Sequence, residues 1–297
     1  MRIGIDIGGT KIEGIALDSA GLTLFRERIP TPTGDYRATV AAVASLVHRI
    51  ESNTGMTGSV GVGIPGAMSP VTGLVKNANS TCLIGNPLDA DLGVALAREV
   101  RIANDADCFT LSEATDGAGA GYASVFGVIL GTGVGGGIVI GGRLLSGPNA
   151  IAGEWGHNPM PGSLSEAPRC YCGRTGCIET YLSGPGLSAD HRAVTGHMLP
   201  PPDIVAAAGQ GVPESKATMM RYEGRLARAL ATVINILDPA AVVLGGGLSG
   251  IGRLYRNVPK LLPKYVFSDS VRTPILPPRH GDSSGVRGAA WLWPARP

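Results

Sequence analysis

Residues 2–18, RIGIDIGGTKIEGIALD, alternate apolar and other positions on either side of a Gly-Gly-Thr turn, which is the pattern of a β-hairpin. Residues 124–145, SVFGVILGTGVGGGIVIGGRLL, repeat that grammar as strand, Gly-Thr-Gly turn, strand, Gly-Gly turn, strand. Between them the apolar period lengthens. YRATVAAVASLVHRIESNTG (36–55) has helical spacing and ends at Gly55, and KATMMRYEGRLARALATVINILD (216–238) has the same spacing and stops before Pro239. SVGVGIPGAMSP (59–70) predicts a short buried strand that breaks at GIPG, EVRIA (99–103) predicts another, and AAVVLGGGLSGIG (240–252) predicts a buried strand running into three glycines. The order of hairpin, helix and strand thus recurs about 120 residues along the chain, which predicts duplicated α/β lobes facing a cleft. TGHMLPPPD (195–203) and TPILPPR (273–279) read as proline-rich surface connections.

Composition narrows the classes. The 297 residues are 44% hydrophobic and only 16% charged, enough to bury a large core and too apolar for wholesale disorder. The net charge is +2, with no basic run, which argues against nucleic acid or an anionic membrane as partner. No apolar stretch reaches the roughly 18 residues of a membrane span, and Asp6 interrupts the opening apolar run, so the start does not read as a signal peptide. Five cysteines is an odd number, and Cys82 and Cys108 stand alone, so a disulfide framework fits badly. These features together predict a cytoplasmic protein in a reducing compartment.

The remaining three cysteines carry the most specific signal. Cys170, Cys172 and Cys177 lie within eight positions, Gly173 and Gly176 let the backbone fold back between them, and His157 precedes them by thirteen residues. Three thiolates and an imidazole make a closed tetrahedral Cys₃His set, the donor set of a structural Zn²⁺. Clamping the loop 157–177 on one metal would bring Glu154 and Glu179, which flank it, to one place and assemble an acidic pocket for a polyhydroxylated ligand.

Weaker motifs surround it. DIGGTK (6–11) offers glycine amides, a hydroxyl and a lysine to phosphate oxygens, or is merely a tight turn. GTGVGGG contains the spacing G-x-G-x-x-G at Gly131, Gly133 and Gly136, but a dinucleotide fingerprint needs a helix to follow, and GGIVIGGRLL continues as a strand. A second hairpin turn fits better. Two such turns could hold the phosphates of one nucleotide, with LGGG (244–247) near its base or ribose and Asp6 meeting Mg²⁺ through water. Asn104-Asp105, at a strand end, offers a carboxylate to take a proton from an acceptor hydroxyl, or is ordinary turn chemistry. KNANST (76–81) offers amides to sugar hydroxyls, or simply stabilises a loop.

Taken in order, GIDIGGTK, GVGIPG, NANST, ANDAD, GTGVGGG, AGEWGH, CYCGRTGCIE and VVLGGG resemble the motifs of the ROK family of sugar kinases along most of the chain. KNANST and the closing HGDSSGVRGAAWLWP (280–294) look most like bacterial ROK fructokinases, also described as mannokinases. The resemblance implies the two-lobed actin/hexokinase-like, ribonuclease-H-like fold, with a smaller lobe at 1–107, onto which a helix at about 284–297 packs back, and a larger lobe at 108–283. It implies an ATP-dependent hexose kinase acting on the 6-hydroxyl of fructose, with glucokinase, mannokinase or N-acetylhexosamine kinase as alternatives and a non-catalytic sugar sensor as the rival outside the enzymes. By motif, Asp105 becomes the general base, with Asn79, Asn104, Glu154, His157 and Glu179 as sugar contacts. Asp6, Gly8, Gly9, Thr10, Lys11, Gly131, Thr132, Gly133, Gly245, Gly246 and Gly247 become the MgATP contacts, zinc sits on His157, Cys170, Cys172 and Cys177, and a homodimer is expected.

Overall fold

A computed structural model of the chain describes residues 1–78, 80–162 and 167–294, apart from the side chain of Asp282. The chain opens with β1 (Arg2–Ile7), β2 (Lys11–Leu17), β3 (Thr23–Pro30), α1 (Tyr36–Thr54), β4 (Ser59–Ile64), β5 (Ala67–Met68), β6 (Val75–Lys76), α2 (Leu88–Leu96), β7 (Val100–Asn104) and α3 (Asp105–Thr115). It continues with β8 (Ser124–Leu130), β9 (Val134–Ile140), β10 (Arg143–Leu144), α4 (Glu179–Leu182), α5 (Gly184–Thr195), α6 (Pro201–Gly209), α7 (Pro213–Leu237), β11 (Ala241–Gly245), α8 (Gly252–Leu261), β12 (Ile275–Leu276) and α9 (Ser284–Trp291). No helix among the described residues is long and apolar enough to cross a membrane.

Two five-stranded sheets have the same plan. Their strand orders are β3-β2-β1-β4-β7 and β10-β9-β8-β11-β12, in each case a meander followed by two later strands on its far side. The recurrence in the hydrophobic pattern is therefore a recurrence of topology. The chain divides into two compact units, residues 1–121, 137–152 and 279–297 in the first and 122–136 and 153–278 in the second.

In the first unit β1 pairs antiparallel with β2 and parallel with β4, which pairs parallel with β7. The register sets Asp6 beside Gly63 and Asn104 beside Ile64, so the carboxyl ends of three parallel strands share one edge. Helix α1 shows why the sequence reads so plainly. Asp35 caps it by accepting the Ala38 N–H, Val43, Leu46, Val47 and Ile50 form its buried stripe, and Gly55 ends it at φ 67°, a left-handed backbone that glycine adopts without strain.

Helix α9 lies against this sheet and against α3 with unusually little space. A Cβ on Gly4 would sit 2.0 Å from the Val286 carbonyl oxygen, one on Gly61 1.9 Å from that of Ala289, and one on Gly288 1.6 Å from that of Cys108. Glycines in RIGIDI, SVGVGI and RGAA thus allow direct backbone contact where larger residues would force the layers apart. Glu113 locks the same join from the other end of α3. It is fully buried and accepts from the backbone N–H groups of Ala118 (2.8 Å), Arg279 (3.0 Å) and His280 (3.1 Å) and from the Ser284 hydroxyl (2.8 Å). Every donor is neutral, so the carboxylate is held by hydrogen bonds alone.

Overpacking this contact has a definite cost. Gly288→Ala should destabilise the protein by at least about 1–3 kcal/mol, read as a lowered urea midpoint. An unchanged midpoint would mean that α9 does not press on α3.

Candidate active site and metal centre

The chemistry of the first unit collects at the carboxyl edge of its sheet. Asn104 ends β7 and caps α3, its Oδ1 accepting the Ala106 N–H at 2.8 Å and its amide donating to the Gly66 carbonyl at 3.1 Å. The Asp105 Oδ1 also accepts from Ala106 N–H at 2.8 Å, so its carboxylate is oriented by the amino end of α3, where negative charge is favoured. Asn104 is also the residue expected to reach a sugar; its Oδ1 caps the helix while one of its two amide protons goes to the Gly66 carbonyl. Asn79 lies outside the described residues.

Asp6 sits two strands away on the same edge. Burial pushes its carboxyl up to about 7, with Asp105 and Glu13 adding repulsion and Lys11 and Arg28 opposing it. The turn after it is tight. Gly8 N–H donates to the Lys11 carbonyl at 2.9 Å, and the Thr31 hydroxyl donates to the Gly8 carbonyl at 2.7 Å. Gly9, Thr10 and Lys11 are exposed, whereas the Gly8 amide is already used within the hairpin. A groove of about 1010 Å³ opens at the opposite, amino-terminal edge, lined by Arg2, Arg98, Arg101 and Trp293. Its arginines are engaged structurally. Arg98 pairs with Glu51 at 2.6 Å, Arg101 stacks 4.0 Å over Trp293, and Arg2 donates to the Trp293 carbonyl at 3.2 Å.

In the second unit β8 and β11 run parallel, with Gly245 opposite Ile129, so the turn 131–133 and Gly246-Gly247 leave the sheet at one edge, its carboxyl edge. That is where α/β sheets bind ligands. The chain after the Gly131-Thr132-Gly133 turn is strand β9, as the hairpin reading requires. Gly246 has φ 77°, and a Cβ there would lie 2.5 Å from the Leu130 carbonyl oxygen, so this position needs glycine on both counts.

Two of the glycines read as phosphate contacts serve other groups. Gly131 N–H donates across its own turn to Gly133 at 3.0 Å. At Gly133 a Cβ would come 2.6 Å from Glu179 Oε2, the oxygen that accepts the Val134 N–H at 2.9 Å. Further along, Gly136 leaves room for Trp155, whose indole N–H donates to the Gly135 carbonyl at 3.0 Å and whose ring meets Phe126 edge-on. Trp155 stands between Glu154 and His157 and fixes that segment to β9.

His157, Cys170, Cys172 and Cys177 converge, with all four donor atoms within 4.8 Å of one another. Zn–S bonds of about 2.3 Å and a Zn–N bond of about 2.0–2.1 Å in a tetrahedron require S···S near 3.8 Å and S···N near 3.5 Å. The Cys172–Cys177 sulfurs lie 3.7 Å apart, and Cys170 Sγ lies 3.6 Å from His157 Nδ1. The residues fit a zinc ion. Burial pushes the Cys177 thiol up to about 12 and raises that of Cys170, so a dication there would supply the charge that ionises them.

With Nδ1 turned to the sulfurs, His157 Nε2 faces away, 3.1 Å from the Tyr171 hydroxyl. Tyr171 escaped the sequence reading, although its position between two of the cysteines marked it. Burial pushes its phenol up to about 12, with the charges of Glu179, Cys170 and Glu154 contributing.

A model of the ROK family matches residues 2–296. The chain is 42% identical over 299 residues to an N-acetyl-D-glucosamine kinase of Yersinia pseudotuberculosis, covering 98% of each, and 41% identical to one of Vibrio cholerae, covering 98% of this chain and 99% of the relative. Among solved structures it superposes on a ROK hexokinase from Thermus thermophilus with a TM-score of 0.87 at 29% identity, covering 97% of this chain and 96% of the other. A ROK family glucokinase from Streptomyces griseus in complex with glucose and AMPPNP gives 0.79 at 29% identity, covering 98% of both. The two N-acetyl-D-glucosamine kinases agree with the N-acetylhexosamine alternative, and none of the proteins named here lends the fructose expectation support.

Two measurements follow from the geometry. Metal analysis should find one zinc per chain in the native protein, and Cys172→Ser should lose it; a variant that keeps full zinc would remove Cys172 from the donor set. Because the Asp6 carboxyl holds its proton more tightly in the folded protein than in the unfolded chain, stability should decline as pH rises from about 4 to about 7 and level off above. The stabilising effect of Asp6→Asn, from paired urea titrations, should therefore be larger at pH 8 than at pH 5, and an equal effect at both would contradict the assignment.

Proposed function

Because this chain belongs to the ROK family, we propose that it is an ATP-dependent kinase of N-acetyl-D-glucosamine, transferring the γ-phosphoryl group of MgATP to the sugar's 6-hydroxyl. The observation that carries the amino-sugar reading is identity of 40% or more, over nearly the full length, to N-acetyl-D-glucosamine kinases of several bacteria. ATP-dependent sugar phosphorylation in general has wider support, since the glucokinase complex of the same fold holds both a sugar and an ATP analogue.

Asp105 is the general base. A phosphoryl acceptor needs its proton removed as the bond to phosphorus forms, and a carboxylate fixed at a helix start can do so without reorganising. The Ala106 N–H holds one Asp105 oxygen in place, so the carboxylate has a fixed direction. Gly9, Thr10 and Lys11 in the first unit and Thr132, Gly246 and Gly247 in the second are exposed donors for the nucleotide of MgATP. Asp6 adds a carboxylate beside the first of these turns for the magnesium of that substrate. Glu154, His157, Glu179 and Asn104 recognise sugar hydroxyls, and Asn104 also places Asp105 through the helix cap.

A zinc ion on His157 and the three cysteines would be structural, since four protein donors leave no open position. What the chain itself supplies is orientation. The Cys₃His loop and the Trp155 contact hold His157 and its neighbours at fixed positions, and no step of phosphoryl transfer uses the metal.

ADP release should be compared across N-acetylglucosamine, glucose, mannose and fructose at saturating MgATP. N-acetylglucosamine should give the highest kcat/KM; fructose on top would restore the reading taken from KNANST, and no turnover with any sugar would favour a sensor. Asp105→Asn should lower kcat by ~10²–10⁴ while leaving ATP affinity unchanged, and near-normal turnover would remove Asp105 from the role of base.

A further inference from the structure

Phosphoryl transfer leaves the groove at the amino edge of the first sheet unused. It holds about 1010 Å³, room for a small organic ligand, and all of its lining belongs to the first unit. The parallel register sets Arg2 beside Ser59 and Arg101 beside Gly61, so Arg2, Ser59 and Arg101 emerge on one face of the sheet, the face that meets α9 at Gly61. Past the end of α9, Trp293 is fixed at that edge by its indole N–H, which donates to the Val60 carbonyl at 2.7 Å.

The arginines of the groove differ in what they have left to give. Each nitrogen of Arg98 donates within the protein: Nη1 and Nη2 to Glu51 at 2.6 and 2.9 Å, Nη1 also to the Gly58 carbonyl at 2.7 Å, and Nε to the Leu96 carbonyl at 3.3 Å. Arg2 and Arg101 are placed but not exhausted. Trp293 positions both, its carbonyl accepting from Arg2 Nε at 3.2 Å and its ring lying 4.0 Å from the Arg101 guanidinium. Arg2 Nη1 donates to the Asp18 carbonyl at 3.3 Å and Arg101 Nη1 to the Leu292 carbonyl at 2.9 Å. No hydrogen bond among the described residues takes up the Nη2 of either one.

Their charges are also poorly neutralised. The Asp18 carboxylate is directed into its own turn, where it accepts from the Ala20 and Leu22 N–H groups at 2.9 and 2.8 Å. Glu99 stands 3.8 Å from Arg101 Nε with its side chain 72% exposed, so water screens most of that attraction. Two guanidinium groups, held in place with donors unspent beside a cavity, make a receptor for a phosphoryl group. Ser19, Thr57 and Ser59 add hydroxyls to the same lining, which suits a polyol.

We propose that this groove binds a phosphorylated hexose, its phosphoryl group on Arg2 and Arg101 and its hydroxyls toward Ser19, Thr57 and Ser59. The choice of a hexose phosphate rests on the sugar-kinase reading, which makes it the product; the anion site rests on the groove alone. Asp6 and Asn104-Asp105 stand at the carboxyl ends of the same strands, so product bound here is held apart from those residues.

The test titrates the 6-phosphate of N-acetyl-D-glucosamine into the full chain by calorimetry, after the catalytic site has been filled with the best hexose substrate and a non-hydrolysable ATP analogue. One equivalent per chain should still bind. Arg101→Ala should weaken that binding by about ten- to hundredfold, as expected for loss of a charged hydrogen-bond donor, with kcat kept within about twofold. Thr57→Glu leaves both arginines in place and sets a carboxylate at an exposed lining position, so it should raise the Kd without disturbing the fold. Inorganic phosphate should bind more weakly, and unphosphorylated hexose should not displace the ester. Absence of the extra equivalent, or an unchanged Kd in both variants, would overturn the proposal. Inorganic phosphate binding as tightly as the ester would overturn its sugar half. Failure of the kinase reading would appear separately, as no turnover with any sugar. Titration of the unfilled chain, compared with Thr57→Glu, would then still read the groove.

Discussion

One hydrogen bond organises the second unit: the Glu179 carboxylate accepting the Val134 N–H. It joins the start of α4, just past the last cysteine, to the glycine turn at the head of β9. Gly133 gives that bond its room, because a Cβ there would press on the Glu179 carboxylate and the carboxylate would have to shift. The Cys₃His cluster then restrains the other end of the same segment, and Trp155 fastens the stretch before it. Three short-range constraints therefore hold an otherwise irregular loop. Irregular backbone needs such anchors, since it has no ladder of its own to satisfy its polar groups.

The first unit solves a similar problem by different means. The proposed base, Asp105, lies at the start of α3, and the position of α3 depends on α9, which arrives from the far end of the sequence. Backbone contact through Gly4, Gly61 and Gly288, with Glu113 gathering donors from the returning segment, makes that placement stiff. Asp105 inherits its direction from this packing and from the cap that Asn104 provides. For the proposed role, a carboxylate that is to accept a proton gains from being fixed in advance.

Much of this was legible in the chain. Hairpins around GGT and GTG, the helices at 36–55 and 216–238, and the strand ahead of Asn104-Asp105 all follow from periodicity and turn chemistry, which are local properties. The convergence of His157 with the three cysteines was legible for a related reason, because cysteine is scarce here and three within eight positions constrain one another. Rejection of the dinucleotide fingerprint was equally local, as β9 follows the glycine turn where a helix would be needed.

What the sequence could not assign was the partner of each polar group. Nothing in ANDAD says that Asn104 caps a helix, and nothing in GTGVGGG says that Gly133 makes room for Glu179 while Gly136 makes room for Trp155. The glycine count alone does not separate glycines that meet a ligand from glycines that admit a neighbour. Tyr171 meets His157 only when folding brings the two together from fourteen residues apart. Local order is set by local sequence because turns, caps and hydrophobic periods act over a few residues. The site was decided by tertiary structure, because hydrogen bonds and close contacts form between residues that only the completed fold brings together.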